Sequence, residues 1–582
     1  MTESEWPEQG FKRRLMVLWV GTIVGVLILT GRLFYWQVIR YEYLQDIGQR
    51  LRLKAKPIPS LRGTIKDRHG FILAMDEYEF EIFATPRDID DADRLVATLA
   101  PILGMNQGEL TQLLSRKEED YVPLAQAVPL EAARAVEDVE EDWAKAGFRI
   151  RGLGIRPARH RVYPENEMAC HLLGFATRTH EVFYGVEELY DEQLRGVEGS
   201  WGGSSDVLDF QMTIGPGKVA LPQDGQDVIL TLDRTIQQIV EEELRRAITE
   251  FRAESGTIIV MAPRTGAVLA MASHPGYDPN LYFEEATRAE PFTDPAVSET
   301  YEPGSVFKVV TMAAALDSGS FDRYSSYNDL GQIIVGGAFI HNWDRRSYGV
   351  INMTELLKYS LNVGAATLST SLGGDTFYDY LQRFGFGELT GIDLPYESPG
   401  IMKIPGDADW HEADLGTNAF GQGISVTPIQ MIRAVAAVAN GGMLPKPYVV
   451  QRIEHGGEII KEFHPQPGPQ VISPSVATDL TEMLVESLAG KENLNIPGYA
   501  IAGKTGTAQV PMVGGYHPEH TIACFVGYAP ADDPQFIIVV KIDKPQESPW
   551  GTVVAVPAFR RIAEKLFIYL HIPPDEIRMA SR

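Results

Sequence analysis

Three short groups of residues combine side chains and spacings that suit acyl-transfer chemistry. In chain order they are Ser305-Val306-Phe307-Lys308, Ser360-Leu361-Asn362 and Lys504-Thr505-Gly506-Thr507. Each group alone is weak evidence, because a chain of this length carries about one Ser-x-x-Lys pattern by chance. Their order, spacing and flanking residues make the set specific, and together they predict an active site with a serine nucleophile.

Ser305 and Lys308 bring a hydroxyl and an amine to one face of a predicted helix. Pro303-Gly304 interrupts the chain, and the apolar run from Val306 to Leu316 predicts a buried helix that begins at Ser305 and stops at Asp317-Ser318-Gly319. Residues three apart share a helical face, so the Lys308 amine can reach the Ser305 hydroxyl. A lysine acts as a base at neutral pH only if burial and the positive helix end lower its pKa from about 10.4. Ser305 is therefore a candidate nucleophile and Lys308 its base, the alternative being an ordinary N-cap and a solvated lysine.

Ser360 and Asn362 lie two positions apart and can direct a hydroxyl and an amide into the same cleft. One can relay protons while the other holds a peptide carbonyl. The alternative is that these residues form a loop cap after the helix that contains Leu356-Leu357. Without the candidate nucleophile Ser305, this alternative would be the better interpretation.

The segment Ala500 to Ala508 is rich in small residues, which predicts a strand edge that another backbone can approach closely. Such an edge can pair with an extended peptide, while Lys504 and the Thr505 hydroxyl attract a terminal carboxylate. The N–H groups of Thr507 and Ser305 are candidates for an oxyanion hole. A Gly-rich turn between strands is the alternative. The candidate substrate-binding residues of this segment are Thr505, Gly506 and Thr507.

With these residues in place, the sequence resembles the class B penicillin-binding proteins, the monofunctional D,D-transpeptidases of bacterial cell walls. Glu302-Pro303-Gly304-Ser305 resembles the entry of that family to its nucleophile helix. The segment from Gly421 to Gln430 resembles the segment that lines the family's cleft, and Ala502 to Gln509 resembles its third motif without substitution. The resemblance covers nearly the whole chain.

The resemblance implies a role for each residue of the three groups. It implies Ser305 as the acylated nucleophile, Lys308 as the base and Ser360 as a proton relay. It further implies that Asn362 holds the substrate, and that Lys504 with Thr505 binds its carboxylate.

The N-terminal third fits the same family. The segment from Arg62 to Gly70 resembles the opening motif of its noncatalytic pedestal, as do Arg159, Arg161-Val162-Tyr163-Pro164 and Gly185-Val186-Glu187. Asp67 to Gly70 predicts a turn between two short strands, and Arg62 is expected to pair with an acidic neighbour. These arginines are expected to be structural rather than substrate-binding.

Composition limits the class of protein. A chain of 582 residues allows two or more domains plus an anchor, 44% of its residues are apolar, and its net charge of −26 argues against a nucleic-acid surface.

Cys170 and Cys524 are expected to be separate reduced packing residues. His517-Pro518-Glu519-His520 is the nearest approach to a metal pattern, but its proline keeps it off a helix, which favours a loop cap before Thr521. No metal and no cofactor are expected.

One membrane span is predicted near the N-terminus. Lys12-Arg13-Arg14 precedes an apolar run from Leu15 to Thr30, and Leu33-Phe34-Tyr35-Trp36 extends it past Arg32, which can snorkel to the far interface. The positive charge before the span predicts a cytoplasmic N-terminus and an extracytoplasmic catalytic domain, periplasmic or extracellular. A cleaved signal peptide is the alternative, and the bulky residues after Thr30 disfavour it.

The predicted fold is α+β, with an antiparallel sheet flanked by helices in the catalytic domain. The predicted domains are a cytoplasmic tail (1–14), a transmembrane anchor (15–38), a noncatalytic pedestal (39–222) and a penicillin-binding transpeptidase domain (223–582). Gly215-Pro216-Gly217 and Pro222-Gln223-Asp224-Gly225 mark the main boundary. The predicted elements after it are a strand at Val228–Leu232, a helix at Thr235–Phe251, a hairpin of Gly256–Ala262 with Ala267–Ser273, strands at Thr521–Tyr528 and Gln535–Ile542, and a helix near Ala558–Leu570.

The leading hypothesis is a peptidoglycan cross-linking enzyme that releases D-Ala from a stem peptide, and the resemblance supplies that substrate. Spacing alone supports only serine acyl transfer, so a carboxypeptidase or β-lactamase that passes the acyl group to water stays open. A β-lactam sensor or a scaffold with an idle site is a third hypothesis, and a tail of about 14 residues before the span makes a sensor less expected.

The resemblance also implies partners. These are peptidoglycan stem peptides with their lipid-linked precursor, β-lactams, the membrane and a SEDS-type glycan polymerase. The Thr505 form of the third motif and the run Phe420 to Pro428 look more like the division-type enzymes than the elongation-type ones.

Overall fold

The computed structural model describes residues 8–41, 55–148, 150–202, 219–285, 292–512 and 514–580. Part of the predicted tail, residues 1–7, and the predicted boundary signal Gly215-Pro216-Gly217 lie outside the described residues. The α-helices are α1 (Glu8–Phe34), α2 (Ala92–Leu103), α3 (Gln107–Leu114), α4 (Leu130–Lys145), α5 (Cys170–Leu173), α6 (Gly185–Leu189), α7 (Asp191–Leu194), α8 (Arg234–Phe251), α9 (Tyr282–Glu285), α10 (Pro295–Ser298), α11 (Lys308–Asp317), α12 (Met353–Tyr359), α13 (Asn362–Leu372), α14 (Gly374–Arg383), α15 (Glu412–Asn418), α16 (Pro428–Ala439), α17 (Pro474–Leu488), α18 (Gly551–Tyr569) and α19 (Asp575–Ala580).

The strands are β1 (Ala55–Ile58), β2 (Ile65–Lys66), β3 (Ile72–Ala84), β4 (Val122–Val128), β5 (Leu153–Val162), β6 (Phe175–Ala176), β7 (Val182–Phe183), β8 (Gly199–Gly202), β9 (Val219–Ala220), β10 (Asp227–Leu230), β11 (Ser255–Met261), β12 (Val268–His274), β13 (Ser326–Asp329), β14 (Gln332–Val335), β15 (Ala338–His341), β16 (Gly349–Asn352), β17 (Val450–His455), β18 (Glu458–Glu462), β19 (Ala502–Met512), β20 (Gly515–Ala529) and β21 (Phe536–Asp543).

The chain divides into two compact units. One consists of the residues up to Ser60 together with Gly196–Asp224, and the other consists of Leu61–Arg195 together with Gly225–Arg582. The first unit contains α1 and the antiparallel sheet β1-β8-β9. The segment Arg13–Ile39 is long and apolar enough to cross a membrane, and its 18-residue apolar window is not buried by other parts of the chain.

The larger unit is built on an antiparallel sheet in the order β12-β11-β21-β20-β19, which confirms the predicted α+β fold. Successive residues of a strand point to opposite faces. Ile258 packs with α8 and α18 on one face, while Ile259 packs into a second core that contains α11, α16 and α17. The sheet is therefore a middle layer between two sets of helices.

The predicted elements of this layer occur close to their expected bounds. The predicted helix at 235–251 is α8, and the predicted hairpin is β11 with β12. The closing helix, however, begins at Gly551 and not near Ala558. It continues through Pro557, which removes one backbone donor without ending the helix.

A second sheet of the larger unit combines strands from both sides of the predicted boundary at residue 222. Its order is β18-β17-β10-β2-β3-β4, and β5 pairs with β3. β10 lies parallel to β2, with Val228 opposite Ile65. Thus the segment predicted as the pedestal supplies strands to the same sheet as the segment predicted as catalytic, and the boundary at 222 stays a prediction.

The helix α11 lies at the centre of the second core. Every residue from Lys308 to Leu316 is buried, as expected of a helix that is apolar on nearly all sides. This surrounding core fixes α11, and with it the residues at the start of the helix, against the sheet.

Candidate active site

Ser305 lies in a tight turn that leads into α11. The turn Gly304–Phe307 is a 3₁₀ helix, and the α-helix begins only at Lys308, so the predicted helix start at Ser305 was three residues too early. In a 3₁₀ turn the side chains at i and i+3 lie above one another. As a result the Lys308 Nζ donates to the Ser305 Oγ at 3.0 Å, the contact that the spacing predicted.

The Lys308 amine is enclosed by neutral oxygen atoms. Its side chain is buried, with 1% of the residue exposed, and Nζ donates to the Ser360 carbonyl at 2.6 Å and to the Asn362 Oδ1 at 2.8 Å. No acidic side chain of the described residues forms an ion pair with Lys308. Burial lowers the pKa of this amine well below its ordinary value, because the charged form has lost water without gaining a counter-ion. The amine is therefore suited to accept a proton.

Ser360 connects two short helices in a conformation that few residues adopt. Its φ of +58° lies in the left-handed region, and its N–H closes α12 by donating to the Leu356 carbonyl. Asn362 then begins α13 and donates its Nδ2 to the His341 carbonyl at 3.2 Å. This bend directs the Ser360 carbonyl and the Asn362 amide oxygen at the Lys308 amine.

Lys504 brings a second amine to Ser360. Its Nζ donates to the Ser360 Oγ and to the Thr505 carbonyl, each at 3.0 Å, and only 2% of the residue is exposed. Burial lowers its pKa well below the ordinary value, and the nearby amines of Lys308 and Lys491 lower it further. The Ser360 hydroxyl thus lies between two lysine amines, at 3.3 Å from the Lys308 Nζ.

The strand β19 packs directly against the turn that holds Ser305. A Cβ on Gly506 would lie 2.8 Å from the Val306 Cγ2 and 3.0 Å from the Pro303 carbonyl oxygen, so only glycine permits this approach. Thr505 and Thr507 share one face of the strand, and both are half-buried. The Thr507 Oγ1 accepts a hydrogen bond from the Gly551 N–H at the start of α18.

The structure therefore brings the predicted catalytic residues together. Hydrogen bonds link Ser305, Lys308, Ser360, Asn362 and Lys504, and Thr505, Gly506 and Thr507 continue along the strand from Lys504. The expected oxyanion hole of the Ser305 and Thr507 N–H groups stays a prediction.

Glu302 is a site residue whose role the sequence did not predict. Its Oε1 accepts from the Gly423 N–H at 3.0 Å and from the Tyr516 hydroxyl at 3.3 Å, and burial raises its pKa. The neighbouring Gly304 N–H donates to the Gly421 carbonyl at 3.0 Å. Glu302 thus joins the nucleophile turn to the predicted cleft-lining segment and to β20. Only tertiary contacts show this, although Glu302 stands within a motif.

The region around His517 lies within the bounds of β20 and forms the local cap that was predicted. β20 runs from Gly515 to Ala529, and its pairing with β19 passes from Thr521, opposite Gln509, to Tyr516, opposite Pro511, across a bulge. Within this bulge the His517 Nδ1 accepts hydrogen bonds from the N–H groups of Glu519 at 3.2 Å and His520 at 3.0 Å. The His517 and His520 rings stack at 3.8 Å, and among the described residues no group of metal-ligating side chains is found.

Two of the predicted structural arginines, Arg62 and Arg161, form a buried ion-pair network. The Arg161 Nε and the Arg62 Nε each lie 2.7 Å from a carboxylate oxygen of Glu187, and Arg161 also pairs with Asp76. The turn at Asp67 forms as expected between β2 and β3. Both cysteines are buried free thiols, as predicted.

Comparison with known proteins identifies the family of this chain. The sequence profile of the penicillin-binding protein transpeptidase domain matches residues 256–564, and that of the penicillin-binding protein dimerisation domain matches residues 57–182. Stage V sporulation protein D of Bacillus subtilis is 32% identical over 586 residues, which cover 98% of this chain and 88% of that protein.

Two further proteins extend the comparison. The peptidoglycan D,D-transpeptidase FtsI of Escherichia coli strain K12 is 30% identical, over 96% of this chain and 92% of that protein. The crystal structure of penicillin-binding protein 3 from Mycobacterium tuberculosis, complexed with aztreonam, is similar with a TM-score of 0.67 and 25% identity, over 89% of this chain and 98% of that chain. These matches confirm the resemblance seen in the sequence: the chain belongs to the penicillin-binding protein transpeptidase family, as a class B penicillin-binding protein.

Proposed function

We propose that this protein is a peptidoglycan D,D-transpeptidase that cross-links stem peptides through an acyl-enzyme on Ser305. The observation that carries the proposal is the contact between the Lys308 Nζ and the Ser305 Oγ at 3.0 Å, made by a buried amine without an acidic partner among the described residues. Such an amine is available as a base next to a hydroxyl nucleophile.

The first half-reaction acylates the enzyme. The Lys308 amine takes the Ser305 proton while Oγ attacks the carbonyl carbon of the penultimate D-Ala. The new Oγ–C bond forms as the bond to the nitrogen of the terminal D-Ala breaks, and that nitrogen gains a proton and leaves as D-Ala. The Ser360 hydroxyl, which lies between the amines of Lys308 and Lys504, can relay this proton.

The second half-reaction transfers the acyl group. The amine of a neighbouring stem peptide attacks the ester carbonyl, the C–Oγ bond breaks, and Ser305 recovers its proton as the cross-link forms. Before this, in the first half-reaction, the Asn362 amide and the strand β19 hold the donor peptide, and Lys504 with the Thr505 hydroxyl binds its terminal carboxylate, which leaves with the released D-Ala. Burial lowers the pKa of Lys504 in the free protein, and a bound carboxylate would favour the protonated form of this amine.

The same steps account for inhibition by β-lactams. A lactam amide that resembles D-Ala-D-Ala acylates Ser305, and no acceptor amine displaces the product. Two related proteins support this reading. The E. coli relative is named a peptidoglycan D,D-transpeptidase, and the M. tuberculosis relative was crystallised with the β-lactam aztreonam.

The apolar segment Arg13–Ile39 supports a single-pass membrane protein, with the N-terminus in the cytoplasm and the catalytic residues on the extracytoplasmic side. The anchor then keeps Ser305 on the side of the membrane where strands made from the lipid-linked precursor are cross-linked, and a polytopic SEDS-type glycan polymerase is the expected partner. The Thr505 form of the third motif and the relative named FtsI support a division-type rather than an elongation-type enzyme.

Labelling with fluorescent penicillin tests the nucleophile. We expect one covalent adduct on Ser305, identified by mass spectrometry of the labelled peptide, and no adduct on Ser305→Ala. Labelling of that variant at the normal rate would contradict the mechanism. Incubation with a lipid-linked pentapeptide precursor and a glycan polymerase should then give cross-linked muropeptides; a product that only lacks its terminal D-Ala would instead show a carboxypeptidase.

The partner proposal has its own test. A protein that begins after Trp36 should bind penicillin at the normal rate but fail to co-purify with the polymerase or stimulate it. If the shortened protein stimulates glycan synthesis at the same concentration as the full chain, then the anchor is only a tether.

A further inference from the structure

A buried carboxylate and a buried amide form a pair close to the second motif. Asp329 ends β13 and Asn342 follows β15, and the two residues are 0% and 2% exposed. The Asn342 Nδ2 lies 3.0 Å from both carboxylate oxygens of Asp329, and the Gly331 N–H and the Tyr327 hydroxyl also donate to this carboxylate. No lysine or arginine of the described residues forms an ion pair with Asp329. A buried charge held by neutral donors alone costs stability, so packing does not explain it.

The carboxylate fixes the direction of the Asn342 amide. A carboxylate only accepts hydrogen bonds, so it selects the Nδ2 end of the amide. The Oδ1 end is thereby turned toward α13, where it accepts from the Val363 N–H at 3.1 Å. The N-cap residue of this helix, Leu361, provides no side-chain hydrogen bond. Asn342 therefore supplies, from a distant segment, the cap that α13 lacks locally.

The residue before Asn342 fixes a second amide in the same way. The His341 carbonyl, which also only accepts, binds the Asn362 Nδ2 at 3.2 Å. The Asn362 Oδ1 is therefore directed at the Lys308 Nζ, 2.8 Å away. Thus two successive residues hold the side chain of Asn362 and the backbone of the residue after it.

The direction of the Asn362 amide decides where the lone pair of the neutral Lys308 amine points. A neutral amine has two N–H groups and one lone pair. The Ser360 carbonyl and the Asn362 Oδ1 can only accept, and they bind both N–H groups, at 2.6 and 2.8 Å. The lone pair is then left for a hydroxyl proton, and the Ser305 Oγ at 3.0 Å is nearer than the Ser360 Oγ at 3.3 Å. If the amide were reversed, its Nδ2 would compete for this lone pair.

We propose that Asp329 and Asn342 are positioning residues for acyl transfer. They hold the segment 341–342 against the start of α13, so that the Asn362 amide keeps the lone pair of the Lys308 amine on the Ser305 hydroxyl. This inference rests on the proposed function, in which Lys308 is the base. Neither Asp329 nor Asn342 touches the reacting atoms, and both act through Asn362.

Exchange of the two side chains tests the pair. In Asn342→Asp a second carboxylate faces Asp329, so the segment should shift and the rate constant of penicillin acylation should fall by a factor on the order of one hundred. The double variant Asp329→Asn/Asn342→Asp restores one amide and one carboxylate, and its new carboxylate can still accept from the Val363 N–H. It should recover about tenfold of the loss. Asn328→Asp, at the exposed position directly before Asp329, is the matched control and should keep the wild-type rate constant.

The rate constant is measured per active site, and the sites are counted by the penicillin bound at completion. Misfolding alone lowers that count but leaves the rate constant of the remaining sites unchanged, so the loss and its rescue separate positioning from a purely structural role. A wild-type rate constant in Asn342→Asp, or a double variant as slow as the single one, overturns the proposal.

A second variant covers the case in which Asn342→Asp does not fold. In Asp329→Asn an amide nitrogen faces the Asn342 Nδ2, so the rate constant should fall about tenfold, and an unchanged value overturns the proposal. If penicillin does not acylate the wild type, the proposed function itself fails.

Discussion

Two buried clusters of charged residues in this chain follow opposite principles. In the N-terminal part of the larger unit, Arg161 and Glu187 are almost fully buried as an ion pair at 2.7 Å, and Arg62 adds a second pair to the same carboxylate. In the active site, Lys308 and Lys504 are buried as deeply, but hydroxyl, amide and carbonyl oxygens surround them. The two clusters are therefore equally buried, but only the first pairs each charged group with a group of opposite charge. We call the first cluster compensated and the second uncompensated.

The difference sets what each cluster can do. Burial alone would raise the pKa of Glu187, but the guanidinium groups of Arg161 and Arg62 outweigh burial and hold that pKa below its ordinary value. All three groups stay charged, and the cluster fixes the strand and helix that carry it. Burial of Lys308, in contrast, is opposed by no carboxylate of the residues that the structure describes, and it lowers the pKa of the amine. A buried charge with partners makes the fold depend on each partner, because removing one leaves the other uncompensated, and a buried base without them is available for proton transfer.

The largest effect is expected from breaking the compensated cluster. Glu187→Ala leaves Arg161 and Arg62 buried without their shared carboxylate, which should lower the free energy of unfolding by about 3–5 kcal/mol. The folded fraction should still be acylated by penicillin at nearly the wild-type rate. Denaturant titration and acylation kinetics measure the two effects. Glu192→Ala, which removes an exposed carboxylate from α7, is the control and should change stability by less than about 0.5 kcal/mol. A slow acylation rate in folded Glu187→Ala protein would show that the clusters are coupled.

Removing the uncompensated base should act on the reaction instead. Lys308→Ala, which lacks the amine, and Lys308→Arg, which cannot lose its proton, should each slow penicillin acylation by a factor on the order of one hundred or more. Lys358→Ala, at an exposed position of α12, should leave the rate unchanged. Rapid acylation of the Lys308→Arg protein would mean that a positive charge at this position suffices, and would exclude the role of a base.

The same comparison predicts how stability depends on pH. The folded protein holds Lys308 with a lowered pKa, so between that pKa and about 10.4 the unfolded chain binds a proton that the folded chain does not. The free energy of unfolding should therefore rise with pH across this window, by up to about 1.4 kcal/mol per pH unit for such a lysine. The acylation rate should rise through the folded-state pKa, because the neutral amine is the active form. Lys308→Met should make the stability profile less steep and leave the contribution of Lys504, whose pKa burial also lowers; an equally steep profile in that variant would show that Lys308 binds its proton in the folded state.

A smaller effect is expected at the carboxylate site. Thr505→Val keeps the shape of the side chain but removes the hydroxyl that the substrate carboxylate needs, so acylation should slow about tenfold. The melting temperature should change little, because Thr505 is only half-buried. Thr478→Val, on the exposed side of α17, controls for the loss of a threonine hydroxyl. A protein that melts much earlier yet reacts at the normal rate would contradict the assignment of Thr505.

Local patterns account for the elements that the sequence predicted. The stripe of Ile236, Val240 and Leu244 forms the buried face of α8, and the alternation around Pro263-Arg264-Thr265-Gly266 forms the hairpin of β11 and β12. In these segments the periodicity is produced by the same burial that the tertiary structure imposes. The parallel pairing of β2 with β10 had no such signal, because the two strands are far apart in the sequence and no local pattern encodes their pairing.

The residues of the active site also fall into those that a local sequence pattern predicts and those that it does not. Motif order and helical spacing predicted the residues that meet at Ser305, because the chemistry requires those residue types. The role of Glu302 could not be assigned from sequence, since its partners Tyr516 and Gly423 come from distant segments that meet only in the completed fold. Residues that contact the reacting atoms have a recognisable pattern, whereas residues that position them depend on the completed fold.

The smallest expected effect concerns the backbone that holds the two amines together. Ser360 has a φ of +58°, a conformation that costs a residue with a Cβ about 1 kcal/mol and glycine almost nothing. Ser360→Gly and Ser360→Ala both lose the hydroxyl between Lys308 and Lys504, so both should be acylated more slowly and to a similar extent. They should differ in stability, with the glycine variant more stable than the alanine variant by about 0.5–1 kcal/mol in denaturant titration. Equal stability of the two variants would mean that the bend relaxes in the free protein. The active site would then lack the rigidity that holds an uncompensated base beside its nucleophile.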